Sequence, residues 1–197
     1  MSETVFEVEV KAPISDLESV RNALECIGAK QLNSETQADA YYDHPCRAFH
    51  ETDEALRLRR RLPYSQEPTE GFDESRPLYE LTYKGPKVDS LSKTRIELSV
   101  GLGDATAVKS LLVHLGFRYV GEVVKKRAFY SLGDLTLSLD EVEGIGEFLE
   151  IEQVVDSKER IEPVREEMFT VLEELGLDPE TSTRSSYLEM LLEKNPL

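Results

Sequence analysis

The run Val5-Phe6-Glu7-Val8-Glu9-Val10-Lys11 decides how the rest of the chain is read. Side chains alternate along a β-strand, so Glu7, Glu9 and Lys11 share one face while Phe6, Val8 and Val10 share the other. One face can pack against a core; the other can hold a charged partner. Taken alone, the alternation also fits an ordinary edge strand with a solvated face. The weight therefore falls on whether other segments repeat it.

Seven more segments alternate with period two, at about 31–43, 54–63, 77–85, 93–100, 117–131, 134–141 and 147–155. Six of them repeat the charged face. Arg57 and Arg59 oppose Leu56 and Leu58, with Arg61 continuing the row. Lys84 closes Leu81-Thr82-Tyr83-Lys84, Arg95 and Glu97 alternate with Ile96 and Leu98, and Lys125 and Arg127 follow Val123. Asp140 ends Leu137-Ser138-Leu139-Asp140, and Glu150 and Glu152 flank Ile151. Gln37, Asp39, Tyr41 and Asp43 share parity on the second strand and border the same face.

Connections as short as Leu132-Gly133 and Glu143 to Gly146 favour antiparallel hairpins, because parallel neighbours need long crossovers. Helical spacing predicts helices over Pro13 to Gly28, Asp104 to Leu115, Lys158 to Leu175 and Thr181 to Glu193. The polar stretch Pro63 to Pro77, with three prolines, reads as a long hairpin tip. The expected fold class is α+β: an eight-stranded antiparallel β-barrel, charged faces inward, with flanking helices, in a single domain over 1–197.

The net charge of −16, from 39 acidic and 23 basic residues, first argues against any polyanionic partner. The proposed inward set reverses that locally. Lys11, Arg57, Arg59, Lys84, Arg95, Lys125 and Arg127 against Glu7, Glu9, Glu97, Asp140, Glu150 and Glu152 sum to +1, and the remaining charged residues to −17. A small anionic ligand suits the lumen; a nucleic-acid surface, which needs a basic exterior, does not suit this chain. The acidic remainder is the kind of surface that stays soluble at high salt.

About a dozen charges inside a barrel must be paired, hydrated or bound to ligand. Clustered Arg and Lys suit phosphate oxygens, and clustered carboxylates suit hard divalent cations that bridge to phosphates. The two together imply a metal-bound polyphosphate. No GxxxxGK[ST] loop is present, so phosphate recognition falls to side chains. The run Asp43-His44-Pro45-Cys46 to His50 lacks a second ligand pair for zinc and reads as a loop near the barrel mouth. No apolar stretch is long enough for a membrane span, and Met1-Ser2-Glu3-Thr4 opens no signal peptide, so a cytoplasmic protein with Cys26 and Cys46 as free thiols is expected.

In order and spacing, Glu7-x-Glu9-x-Lys11, Leu-Arg57-Leu-Arg59, Lys84 in TYKGP, Arg95-x-Glu97, Lys125-x-Arg127 and the closing SLDEVEGIGEFLEIE resemble the CYTH superfamily, the triphosphate tunnel metalloenzymes. EVEVKAPI, LDEVEGIGEFLEIE and Ser185-Ser186-Tyr187-Leu188 look most like the class IV adenylyl cyclase branch. The resemblance implies a tunnel that binds a triphosphate with Mg²⁺ or Mn²⁺. Metal would be held by Glu7, Glu9 and a last-strand carboxylate, Glu152 first. Glu97, Asp140 and Glu150 would complete the ligand set or order its water. Arg57, Arg59, Lys84, Arg95, Lys125 and Arg127 would grip phosphates, and Lys11 would orient reacting groups or transfer a proton. The adjacent carboxylates are expected to keep Lys11 charged. Adenylyl cyclase and triphosphatase are both open on these residues, as is a non-catalytic triphosphate-binding module, and the cyclase branch implies a possible homodimer.

Overall fold

A computed structural model describes residues 5–63 and 78–194. The expected hairpin tip lies outside the described residues, apart from Pro63 at a strand end. Eight strands form one antiparallel sheet: β1 (Phe6–Ile14), β2 (Lys30–Asp43), β3 (Ala55–Pro63), β4 (Tyr79–Lys84), β5 (Glu97–Leu102), β6 (Arg118–Leu132), β7 (Leu135–Val142) and β8 (Gly146–Val155). Their order across the sheet is β1-β8-β7-β6-β2-β3-β4-β5. The sheet curls until its two edges meet. There the Glu7 and Arg95 backbones exchange hydrogen bonds of 3.1 and 3.2 Å, and the Lys93 amide donates to the Glu9 carbonyl at 2.9 Å. Closure is thus made by the segment before β5 and not by β5 itself. The strand expected from 93 starts at Glu97 for this reason, its first residues being drawn across to β1.

Two of the three apolar clusters lie outside the curl. Val8, Val10 and Ala12 of β1, Leu137 and Leu139 of β7 and Leu149 and Ile151 of β8 bury under α1 (Leu17–Cys26) and α4 (Ile161–Glu174). A second cluster sets Leu56 and Leu58 of β3 against Phe49 of α2 (Phe49–Thr52) and Leu112 of α3 (Ala105–His114). A third lies on the inner face, where Val123, Val142 and Phe148, in register with Asp39, Lys125 and Asp140, pack under Tyr187 and its neighbours in α5 (Tyr187–Lys194). At about 25 cal/mol per Å² of apolar surface, these clusters supply the main driving force, and the two outer ones leave most of the inner face free for charge.

Helix ends depart from expectation where capping chemistry decides them. Pro13 belongs to β1, and α1 begins after Asp16, whose side chain accepts from the Ser19 amide at 3.1 Å. Asp104 caps α3 in the same way. The helix expected from Thr181 begins only at Tyr187. Asp178 caps a single 3-10 turn, Pro179–Thr181, after which the Thr183 amide donates to the Lys11 carbonyl at 2.8 Å and keeps the chain extended. No described helix is long and apolar enough to cross a membrane. Cys26 and Cys46 are free and exposed.

Candidate functional site

The curl encloses a cavity of about 530 Å³. Of the thirteen residues singled out in the sequence, all but Lys11 and Asp140 line it, and those two are fully buried behind its wall. The period-two alternation and the antiparallel register suffice to bring them together.

One wall is saturated with ion pairs. Arg59 of β3 grips Asp39 of β2 bidentately, Nε to Oδ1 at 2.7 Å and Nη2 to Oδ2 at 2.8 Å, the two residues being direct cross-strand partners. Burial alone would raise the Asp39 pKa, but the Arg59 charge and hydrogen bonds hold it far below the usual carboxylate range. Arg61 Nε donates to Glu35 at 2.7 Å. Arg127 of β6 grips its partner Asp140 of β7, with Nε to Oδ1 at 2.6 Å, and also pairs with Glu150 of β8. Against the effect of burial, Arg127, Lys125 and Lys11 keep the Glu150 carboxyl well below its ordinary value. Asp140 and Glu150 are therefore counter-ions that anchor Lys11, Lys125 and Arg127.

The other wall is mismatched. Register places Glu9 of β1 directly opposite Glu152 of β8, and like charges so placed repel. Glu7 lies one strand repeat away. Burial raises its pKa to about 8, with Glu152, Glu97 and Glu9 pushing further up against the pull of Lys84. Burial likewise raises Glu152, aided by Glu150 and Glu9 against Arg127. Among the described residues, neither Glu7 nor Glu152 makes an ion pair. Glu97 pairs with Lys84, its partner across β4 and β5.

The cations facing this wall are also unsettled. Burial lowers Lys11 to about 7, helped by the nearby Lys93 ammonium; Glu150 at 3.7 Å and Glu9 do not offset it. This reverses the expectation that its carboxylate neighbours keep Lys11 charged. Lys125 falls to about 8 through burial and Arg127. Lys11 Nζ and Arg57 Nε are buried without a hydrogen-bond partner. Buried donors of this kind are rare in folded proteins, and that of Arg57 belongs to a residue that lines the cavity.

Among the described residues, no three His, Cys, Asp or Glu side chains converge into a ready metal cage. Glu7, Glu9, Glu152 and Glu97 nevertheless offer only oxygen donors, and of the four only Glu9, on Lys93, and Glu97, on Lys84, have a cation of their own. That chemistry fits Mg²⁺ or Mn²⁺, since Mg²⁺ is commonly held by one or two carboxylates, waters and substrate phosphates. The loop bearing His44 and Cys46 folds on itself instead, the Cys46 amide donating to His44 Nδ1 at 3.1 Å.

Compared with known proteins, residues 6–187 match the CYTH domain. The chain belongs to the CYTH family. A Methanocaldococcus jannaschii relative, provisionally named as an adenylate cyclase, is 37% identical over 94% of this chain and 98% of its own length. Adenylate cyclase CyaB of Aeromonas hydrophila is 27% identical, covering 92% of this chain and 86% of its own. Among solved structures, the PH1819 protein of Pyrococcus horikoshii superposes with a TM-score of 0.84 at 40% identity, covering 96% of this chain and 99% of its own. The curled eight-stranded antiparallel sheet with flanking helices is the architecture expected of a CYTH tunnel.

Two residues of this CYTH site escaped the initial choice. Lys93 lines the cavity and places Nζ 2.5 Å from Glu9. Its pKa rises because Glu9 and Glu150 outweigh burial. It shares parity with Arg95 and Glu97, so extending that row by two residues would have found it. Tyr187 lies under Lys11 Nζ, 4.0 Å from the ring centroid, and its hydroxyl donates to Asp140 at 2.8 Å. No local pattern announces it, because it enters the site from a helix.

Proposed function

We propose that the CYTH tunnel of this protein binds a triphosphate together with Mg²⁺ or Mn²⁺ and catalyses a reaction at phosphorus. The reading is carried by the direct opposition of Glu9 and Glu152 beside a wall of buried Arg and Lys. Such a carboxylate pair calls for a cation, and such a basic wall calls for phosphate oxygens. Glu7, Glu9 and Glu152 would hold the metal, with Glu97 adjacent. Bound there, it would neutralise charge on the phosphate oxygens. Arg57, Arg59, Lys84, Arg95, Lys125 and Arg127 would bind and orient the triphosphate, and their carboxylate partners preset them before it arrives. Lys11, whose pKa is lowered towards 7, lies behind the wall and would act through Glu150 and Tyr187, orienting the groups that face the triphosphate.

The names of the curated relatives put cyclisation first: the ribose 3′-hydroxyl of ATP attacks the α-phosphorus, forming cyclic AMP and releasing pyrophosphate. Attack of water on the terminal phosphorus would make the same site a triphosphatase, and the charged residues serve either geometry. Incubation with ATP, inorganic triphosphate or thiamine triphosphate and Mg²⁺ or Mn²⁺, at low and molar salt, tests the proposal through the identity of the products. Cyclic AMP with pyrophosphate establishes a cyclase, and a diphosphate with phosphate establishes a triphosphatase. Binding without turnover of any of the three would reduce the protein to a binding module.

A further inference from the structure

Arg165 of α4 stands outside the tunnel and does not line the cavity, yet it is buried. Its helix docks through apolar contacts, Ile161, Val164, Met168, Val171 and Leu172, so the guanidinium is not required to hold α4 on the sheet. Two of its carboxylate partners, Glu162 and Glu166, are solvent-exposed and contribute little. The third is different. Arg165 Nη1 donates to Asp89 Oδ1 at 2.9 Å, and Asp89 belongs to the segment that closes the sheet.

The second oxygen of Asp89 is spent on the turn that follows. Oδ2 accepts from the Leu91 amide at 3.0 Å, the Ser92 amide at 2.7 Å and the Ser92 hydroxyl at 2.8 Å. Ser92 and Thr94 hydroxyls lie 2.6 Å apart, and Arg184 Nε reaches the Ser92 carbonyl at 3.3 Å. Lys93 stands between those two hydroxyl residues, with its amide on the Glu9 carbonyl and its ammonium on the Glu9 carboxylate. Hydrogen bonds thus run from the outer helix through Asp89 to Ser92, and the peptide bond joins Ser92 to a cation in the tunnel.

We propose that Lys93 is a further ligand-facing cation of the tunnel and that Arg165, acting through Asp89, is the positioning residue that aims it. The inference rests on the triphosphate reading of the tunnel. Arg165 fixes one face of the Asp89 carboxylate, the carboxylate fixes the 89–92 turn, and the turn sets where the Lys93 ammonium stands relative to Glu9. Without Arg165 the carboxylate and the turn it accepts from are no longer tied to α4, they shift together, and the ammonium samples positions away from the phosphates.

A double-mutant cycle on the full chain tests this, with inorganic triphosphate as the probe and calorimetric binding as the readout, with and without Mg²⁺. Lys93→Met is expected to weaken binding about tenfold, and Arg165→Met, which preserves packing against the sheet, by a similar factor. The double variant should bind within about twofold of Lys93→Met alone, because the second change has nothing left to position. Asp89→Asn should reproduce Arg165→Met and serves in its place if that variant folds poorly. A purely structural Arg165 would give multiplied losses in the double variant, and that result overturns the proposal, as does an Arg165→Met variant that binds like the parent. A parent protein that binds no triphosphate would instead overturn the tunnel reading on which the inference stands.

Discussion

The two walls of the cavity are built from the same residue types and behave oppositely. On the β2, β3, β6 and β7 side, each principal arginine has a carboxylate within hydrogen-bond reach: Asp39 for Arg59, Glu35 for Arg61, Asp140 for Arg127. Along the β1 and β8 seam, Glu9 meets Glu152, Glu7 is pushed towards neutrality, and Lys11 is left without a hydrogen bond. The difference lies in register rather than composition. Charges that the sheet pairs by itself form a preset scaffold, and the proposed cation site falls where it opposes carboxylate to carboxylate. Only the second group is expected to show a large response to ligand.

The sharpest way to break the comparison is to strand a charge on the saturated wall. Asp39→Ala leaves the Arg59 guanidinium buried and unpaired and should cost about 3 to 5 kcal/mol, seen as a shift in the urea midpoint. On the seam, Glu9→Gln should lower turnover by about 100-fold or more while, with an amide oxygen still there for Lys93, it lowers the unfolding midpoint less than Asp39→Ala. A Glu9→Gln variant that keeps its activity would remove Glu9 from the metal site and erase the functional contrast between the walls. Tyr187→Phe keeps the ring under Lys11 but deletes the hydroxyl on Asp140, and should cost about 1.5 to 3 kcal/mol in the same denaturation assay.

The smallest effect concerns pH. Glu7 has a folded pKa of about 8 against an ordinary value of 4.5, so the folded state holds its proton longer than the unfolded chain does. Its contribution to stability is full below pH 4.5 and is lost as pH rises towards 8. Lys11, lowered to about 7 from 10.5, has the opposite sign and adds stability as pH rises from about 7 towards 10.5. Glu7→Gln removes only the first. In metal-free buffer its melting temperature should match the parent near pH 4.5 and exceed it by about 4 °C or more at pH 8. Adding Mg²⁺ should close the gap by stabilising the parent. A gap that stays constant with pH would mean that Glu7 does not titrate against its neighbours.

Most of the cavity was legible before any coordinates, because strand periodicity assigns a face to each charge and charged faces cannot point into an apolar core. Eleven of the thirteen chosen residues line the cavity. What periodicity cannot supply is register. Whether Glu150 or Glu152 faces a cation depends on Lys11 falling opposite Glu150 and Glu9 opposite Glu152, a shift that no strand carries within itself. The start of α5 was hidden for a similar reason, since Thr183 stays extended through a hydrogen bond to Lys11, 172 residues earlier in the chain. Lys93, by contrast, is legible in the sequence through its parity with Arg95 and Glu97.

The pairing of the first strand with the last has a kinetic consequence. Glu9 and Glu152 become neighbours only when β1 and β8 zip together, one of the most distant contacts the chain makes, and loop closure over such a span is slow. The hairpins β6 to β7 and β7 to β8 and the outer apolar clusters can form beforehand from nearer partners. The seam carboxylates therefore meet late in folding, and a cation that binds between them acts on the final docking step, slowing its reversal rather than guiding the early collapse. Unfolding rates should fall with Mg²⁺ while refolding rates hardly change.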